Sequence, residues 1–158
     1  AAHIPIARIC MTGPVFVDTN VLVYDRDDRD ALKHDRARAW MTALWKRPGL
    51  GVVSGQVISE FHRAVTRKLK PGLDEEQARR YIRTLFAWEF VAVDQATVTE
   101  AWGVQDRFGF NYWDALVVAA AHIGGCRVLL TEDLQDGQDL DGLLVVNPFT
   151  RPPESLST

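Results

Sequence analysis

VFVDTNVL (15–22) is the stretch on which the fold turns. Val15, Phe16 and Val17 are apolar, Asp18 follows, and a second apolar run opens at Val21. An unbroken apolar run this short reads as a strand buried on both faces, the habit of a parallel sheet. The carboxylate at its end is the anomaly. An acid in that position serves as a helix cap, a phosphoryl acceptor or a metal ligand, and the rest of the chain has to discriminate.

Outward from this stretch, short apolar runs alternate with helical periodicities. PVFVD (14–18), GVVSG (51–55), EFVAVD (89–94), RVLLT (127–131) and LLVVN (143–147) read as strands. DALKHDRARAWMTALWK (30–46) sets Leu32, Ala39, Trp40, Ala43 and Leu44 at helical spacing, with Leu32 and Trp40 expected in the core and Trp45 on another face. QVISEFHRAVTRKLK (56–70) repeats Val57, Phe61, Ala64 and Val65 until Pro71 and Gly72 stop it. In DEEQARRYIRTLFAW (74–88), Asp74 and Gln77 form a capping box ahead of an apolar stripe. A helix follows the third strand to about Phe108, and Asn111 caps YWDALVVAAAHI (112–123), which Gly124 and Gly125 end. Strands alternating with helices predict an α/β fold of three layers, α/β/α, around a mostly parallel five-stranded sheet. In such sheets, sites gather at the carboxyl ends of the strands.

The 158 residues, 47% hydrophobic and 25% charged, fit one globular domain, expected over 14–149. No apolar run nears the roughly 20 residues that span a bilayer, so no membrane association is expected. Residues 1–13 read as an extension, vector-derived or upstream of a natural start at Met11, and the tail from Thr150 as disordered. Cys10 and Cys126 share no ligand or redox spacing, which suits a reduced, cytoplasmic chain. A net charge of −3 does not mark a general nucleic-acid binder, so a polyanion would need a local basic patch. DRDDRD (25–30) reads as a solvated acid run leading into a helix.

Four acids converge in this layout. Asp18 ends the first strand and Asp133 lies just beyond the fourth, both at the carboxyl edge. Glu60, with Val57 and Ala64 at i−3 and i+4, shares the expected buried side of its helix. Asp114 stands in the first turn of a helix, with Val117 and Val118 beyond it. Each has a plainer reading: Asp18 as a turn residue, Asp114 as an acid favoured by the helix dipole, Glu60 and Asp133 as solvated surface. Together they are harder to dismiss, because buried ionised acids without basic partners repel one another. A divalent cation reverses that penalty, and an all-oxygen set suits Mg²⁺ or Mn²⁺.

FVDTNVLVY (16–24), ISEFHRAVTRK (58–68), YWDALVVAAA (112–121) and LLTEDLQDG (129–137), in this order over nearly all of 14–149, resemble the PIN-domain ribonucleases. The resemblance is specifically to the VapC-type toxins of prokaryotic toxin–antitoxin pairs. It implies that Asp18, Glu60, Asp114 and Asp133 bind one or two ions and hydrolyse RNA by metal-activated water. Asn20 and Thr131 are implied as supports that hydrogen-bond the carboxylates, with Asp136 a substitute or auxiliary to Asp133. A VapB-like antitoxin and a homodimer are the implied partners, with the helices at 30–46 and from Glu75 bordering the antitoxin groove. Arg63, Arg67 and Lys68, with His62 and Lys70 nearby, and Arg107 are expected to grip the RNA backbone; a solvated basic helix end is the plainer alternative. Structured RNA with an exposed loop is the expected substrate.

Two other strand-end acid chemistries fit less well. An aspartyl-phosphate phosphatase needs a second acid two residues after Asp18, where Asn20 stands, and a receiver domain needs paired early acids and a late lysine. A binding module of the same fold with little or no nuclease activity is the remaining alternative.

Overall fold

The computed structural model describes residues 13–156. The expected extension up to residue 12, Cys10 with it, lies outside the described residues. The five expected strands all form: β1 (Val15–Val17), β2 (Gly51–Ser54), β3 (Glu89–Val91), β4 (Val128–Leu130) and β6 (Leu143–Val146). A sixth, β5 (Asp139–Leu140), has no counterpart among the expected elements. It pairs antiparallel with β6, and its two residues carry too little pattern to read. The sheet order is β3-β2-β1-β4-β6-β5, and every other pairing is parallel. β1 and β4 are buried along their whole length, as the unbroken apolar runs require.

Helices cover both faces of this sheet. They are α1 (Thr19–Arg26), α2 (Ala31–Trp45), α3 (Gly55–Arg63), α4 (Glu75–Leu85), α5 (Gln95–Phe108) and α6 (Tyr112–Ile123). α1 packs on α2 and α3, and α5 packs on α6. α6 is buried from Ala115 to Ala121, which explains its run of small and branched apolar residues. α4 opens with the expected capping box of Asp74 and Gln77. None of the described helices is long and apolar enough to cross a membrane.

Four sequence expectations change. α1 is absent from the expected elements, since TNVLVYDR (19–26) continues an apolar run and is only eight residues long. Asp25, expected in a solvated run, is 3% exposed. It accepts hydrogen bonds from Arg38 Nη1 (3.0 Å) and the Tyr81 hydroxyl (2.7 Å), tying α1 to α2 and α4. Leu32, expected in the core, is 64% exposed, because the buried stripe of α2 is Ala37, Trp40, Met41 and Leu44.

The tail is the fourth. Residues 153–156 form a 3₁₀ turn whose Leu156 is completely buried. Trp40 Nε1 donates to the Arg151 carbonyl (2.8 Å), and the Arg151 guanidinium grips Asp136 (2.6 Å and 2.7 Å). The polar composition of the tail conceals these anchors.

Candidate active site

The chain builds outward from β1 through β2 to β3, then crosses back to lay β4 on the other side of β1. β1 and β4 therefore flank the reversal in strand order, where a crevice opens at the carboxyl edge. Asp18 directly follows β1 and Asp133 follows β4 by three residues. The Asp18 amide donates to the Leu130 carbonyl (3.0 Å), which fixes the acid over the crevice. Asp18 is also the N-cap of α1, where its Oδ1 accepts from the Thr19 amide (2.7 Å). Thr131, wholly buried, donates its hydroxyl to Asp18 Oδ2 (2.7 Å) and accepts from the Asp133 amide (3.1 Å).

The other acids arrive from helix starts. α3 begins directly after β2, capped by the buried Ser54, and carries Glu60 on its second turn. Glu60 Oε2 accepts from the Thr19 hydroxyl (3.1 Å), and Oε1 accepts from Gln56 Nε2 (3.0 Å). Asp114 is held by Asn111, whose Oδ1 caps its amide (3.0 Å) and whose Nδ2 donates to its carboxylate (2.7 Å). Asn20 Nδ2 donates to Asp133 Oδ2 (3.1 Å).

The resulting cleft, of about 350 Å³, has Asp18, Asn20, Asp27, Glu60, Glu132 and Asp133 in its wall, and no Lys or Arg among its lining residues. Lys33 holds Glu132 (2.6 Å), and Arg29 holds Asp27 (2.8 Å). Asp18 is pushed up to about 6 by burial, with Asp133 and Glu60 adding to the rise against the hydrogen bonds from Thr131 and Thr19. Asp133 is also raised, by partial burial and by the charges of Glu132, Asp114 and Glu60. Only Asp18 of the four acids is buried. Glu60 and Asp133 are exposed and Asp114 is intermediate; Asp18, Glu60 and Asp133 line the open cleft, whereas Asp114 lies outside its wall and acts on Asp133 through its charge. Glu60 does not share the apolar face: Val57 and Phe61 turn inward while its carboxylate reaches along the helix surface to Thr19.

Among the described residues, no group of three or more His, Cys, Asp or Glu side chains stands in a metal-holding arrangement. The donor set still fits a hard cation. It is all oxygen, burial and the charge of neighbouring acids hold the pKa values of Asp18 and Asp133 up, and the buried Asn20 Oδ1 has no hydrogen-bond donor.

Three further expected residues fall elsewhere. Asp136 is not brought to the cleft, because Arg151 and the Asn147 amide (2.9 Å) take its carboxylate. Arg107 pairs with Asp141 (2.8 Å) and Glu100 (3.5 Å) beside Arg127 and Gly142, which precede β4 and β6. That is the amino edge of the sheet, away from the acids. Arg67 turns to Glu75 (3.4 Å), while Arg63 and Lys68 line a second groove that shares Thr19 and Glu60 with the cleft. The sequence reading misses Thr19, Gln56 and the Asn111 grip on Asp114. The Asn-x-x-Asp spacing at 111–114 is the one available signal, and it reads equally well as a plain cap.

The family model described as PIN domain matches residues 15–136. No curated protein matches the chain by sequence. Among solved structures, a toxin–antitoxin complex from Klebsiella pneumoniae superposes with a TM-score of 0.60 at 19% identity, covering 85% of this chain and 97% of that one. Mycobacterium tuberculosis VapC20, a toxin that cleaves the sarcin–ricin loop, gives 0.59 at 23% identity, covering 75% and 91%. VapBC2 from Rickettsia felis, bound to a fragment of its promoter DNA, gives 0.57 at 16% identity, covering 83% and 96%. At these identities the likeness is one of fold.

Proposed function

The chain belongs to the PIN-domain family, and on that premise we propose that it is a divalent-metal-dependent endoribonuclease, the cytoplasmic toxin of a toxin–antitoxin pair. The observation that carries the reading is that Asp18, Glu60 and Asp133 share a cleft with no Lys or Arg in its wall, with Asp114 near enough for its charge to act on Asp133. Asp18, Glu60, Asp114 and Asp133 would hold one or two Mg²⁺ or Mn²⁺ ions. A bound ion there supplies positive charge against the phosphate and lowers the pKa of a water.

The chain's own residues do the positioning. Thr131 and the Thr19 amide fix the Asp18 carboxylate, Asn20 fixes Asp133, Asn111 fixes Asp114, and Thr19 with Gln56 fixes Glu60. Every acid is thus pinned by a neutral donor, which orients it without cancelling its charge. Lys33 and Arg29 neutralise the neighbouring Glu132 and Asp27, so the uncompensated charge is confined to the proposed ligands. Among the described residues the cleft wall holds no Ser, Cys or His, and the Thr19 hydroxyl is committed to Glu60, which supports water as the attacking group.

The toxin role is supported by the fold shared with the toxin–antitoxin complexes. A VapB-like antitoxin and a homodimer are the partners this role brings. VapC20 cleaves the sarcin–ricin loop, and a structured RNA with an exposed loop is the substrate class proposed here. Such an RNA, incubated with the protein and Mn²⁺ or Mg²⁺, should yield fragments ending in a 5′-phosphate and a 3′-hydroxyl. Fragments ending in a 2′,3′-cyclic phosphate would contradict attack by water.

A further inference from the structure

A groove of about 950 Å³ opens beside the acid cleft and shares Thr19 and Glu60 with it. Its floor and rim carry Phe90, Val93 and Trp113, which are 41%, 46% and 63% exposed. Trp113 immediately precedes Asp114 in the first turn of α6. Gln56 Nε2 donates both to Glu60 Oε1 (3.0 Å) and to the Trp113 carbonyl (3.3 Å), so one side chain fixes the tryptophan's place relative to the acid. Tyr112 packs edge-on to the indole at 5.4 Å, which leaves a ring face free.

Arg63 and Lys68 stand in the same wall, and neither has an ion-pair partner among the described residues. α3 passes into a π-helical turn over Ala64–Lys68, closed by the Leu69 amide on the Ala64 carbonyl (3.0 Å). Arg63 and Lys68, on either side of the start of this turn, both line the groove, whereas Arg67 turns to Glu75.

We propose that Trp113 is the base-stacking platform of the substrate strand, carrying one unpaired nucleobase on its indole face while Arg63 and Lys68 take the flanking phosphates. The inference rests on the nuclease reading above and adds to it how the strand is held. Aromatic stacking with cationic contacts to the backbone is the general means of holding single-stranded RNA. Two such cations continuous with a metal-demanding acid cleft favour a polyanion over a peptide or a second copy of this chain. The Glu60 carboxylate in the same wall opposes that charge until a cation offsets it, which makes strand binding dependent on the divalent ion.

The test measures binding and cleavage separately on the full chain. The probe is a labelled, unstructured oligoribonucleotide of about twelve nucleotides, within the span of single-strand sites. An abasic position is moved along it, and the Asp18→Asn variant with Mg²⁺ is used to prevent turnover. Trp113→Ala should weaken binding about 5- to 150-fold, Trp113→Phe should retain most of it, and one abasic position should weaken binding by the chain that keeps Trp113 while leaving Trp113→Ala unaffected. Arg63→Ala with Lys68→Ala should weaken all probes equally and flatten the salt dependence. Unchanged affinity in Trp113→Ala would overturn the platform, even if cleavage by the wild-type chain upheld the nuclease. A change in oligomeric state by sedimentation, with RNA affinity intact, would overturn it in favour of a contact between copies. Trp113-dependent binding by a wild-type chain that never cleaves would uphold the platform and sink the nuclease.

Discussion

Asp18 accounts for much of the site because only two hydrogen bonds offset its burial. Its pKa stands at about 6 against an ordinary 3.8. An acid raised in the folded state contributes stability that is complete below its unfolded pKa and lost as pH rises through its folded one. Between about pH 4 and pH 6 the metal-free fold therefore loses about 3 kcal/mol, at 1.36 kcal/mol per unit. Asp18→Asn should stabilise the EDTA-treated protein by about 1–3 kcal/mol at pH 8, and the gain should vanish near pH 4. Mn²⁺ should raise the melting temperature of the wild type more than that of the variant, which keeps the other proposed ligands. Thermal unfolding across pH checks both; an Asp18→Asn variant destabilised equally at pH 8 and pH 4 would refute the account. This tension is legible in the sequence, since an acid closing a buried strand needs a reason. Thr19 as the partner of Glu60, 41 residues away, is not, because only the fold brings their side chains together. Asp136 misleads for the same cause: its partner Arg151 lies in a tail whose composition reads as disordered.

At the scale of elements, the site is an assembly of helix starts. Asp18, Ser54 and Asn111 each cap a helix, and the first and last also place or hold an acid. The two roles of Asn111 separate by substitution. Asn111→Ser keeps a capping oxygen but not the amide that grips Asp114, whereas Asn111→Ala loses both. The alanine variant should lose about 1 kcal/mol of stability and the serine variant a few tenths, while both lose cleavage activity. Denaturant unfolding beside an activity assay distinguishes them, and a serine variant with full activity would show the grip to be idle. Among the described residues, periodicity reveals the five parallel strands and five of the six α-helices. α1 escapes because its branched apolar residues continue the strand pattern, and β5 because two residues make no pattern. The π turn over Ala64–Lys68 follows from backbone hydrogen bonding that no side-chain periodicity encodes.

Across the whole molecule, the order of the strands underlies the function proposed. Laying β4 beside β1 rather than beyond β3 opens the crevice in which Asp18 and Asp133 meet. The tail steadies the far side through Leu156 and the Trp40 contact to Arg151. Leu156→Ala should cost about 2–4 kcal/mol by denaturant unfolding, a value that truncation of a disordered tail could not reach. The layers and the acid edge are visible in the sequence; the open groove beside them is not, because Trp113, Phe90 and the two cations of its wall come from separate elements. The central claim is that four carboxylates make this chain a metal-dependent ribonuclease. Its most direct test is cleavage of total cellular RNA by protein free of any partner, with Mn²⁺ or Mg²⁺ against EDTA, for wild type, Asp18→Asn and Asp114→Asn. The account predicts cleavage by the wild type with either ion, none with EDTA, and a loss of at least about 100-fold in each variant; cleavage that persists through chelation and both substitutions would contradict it.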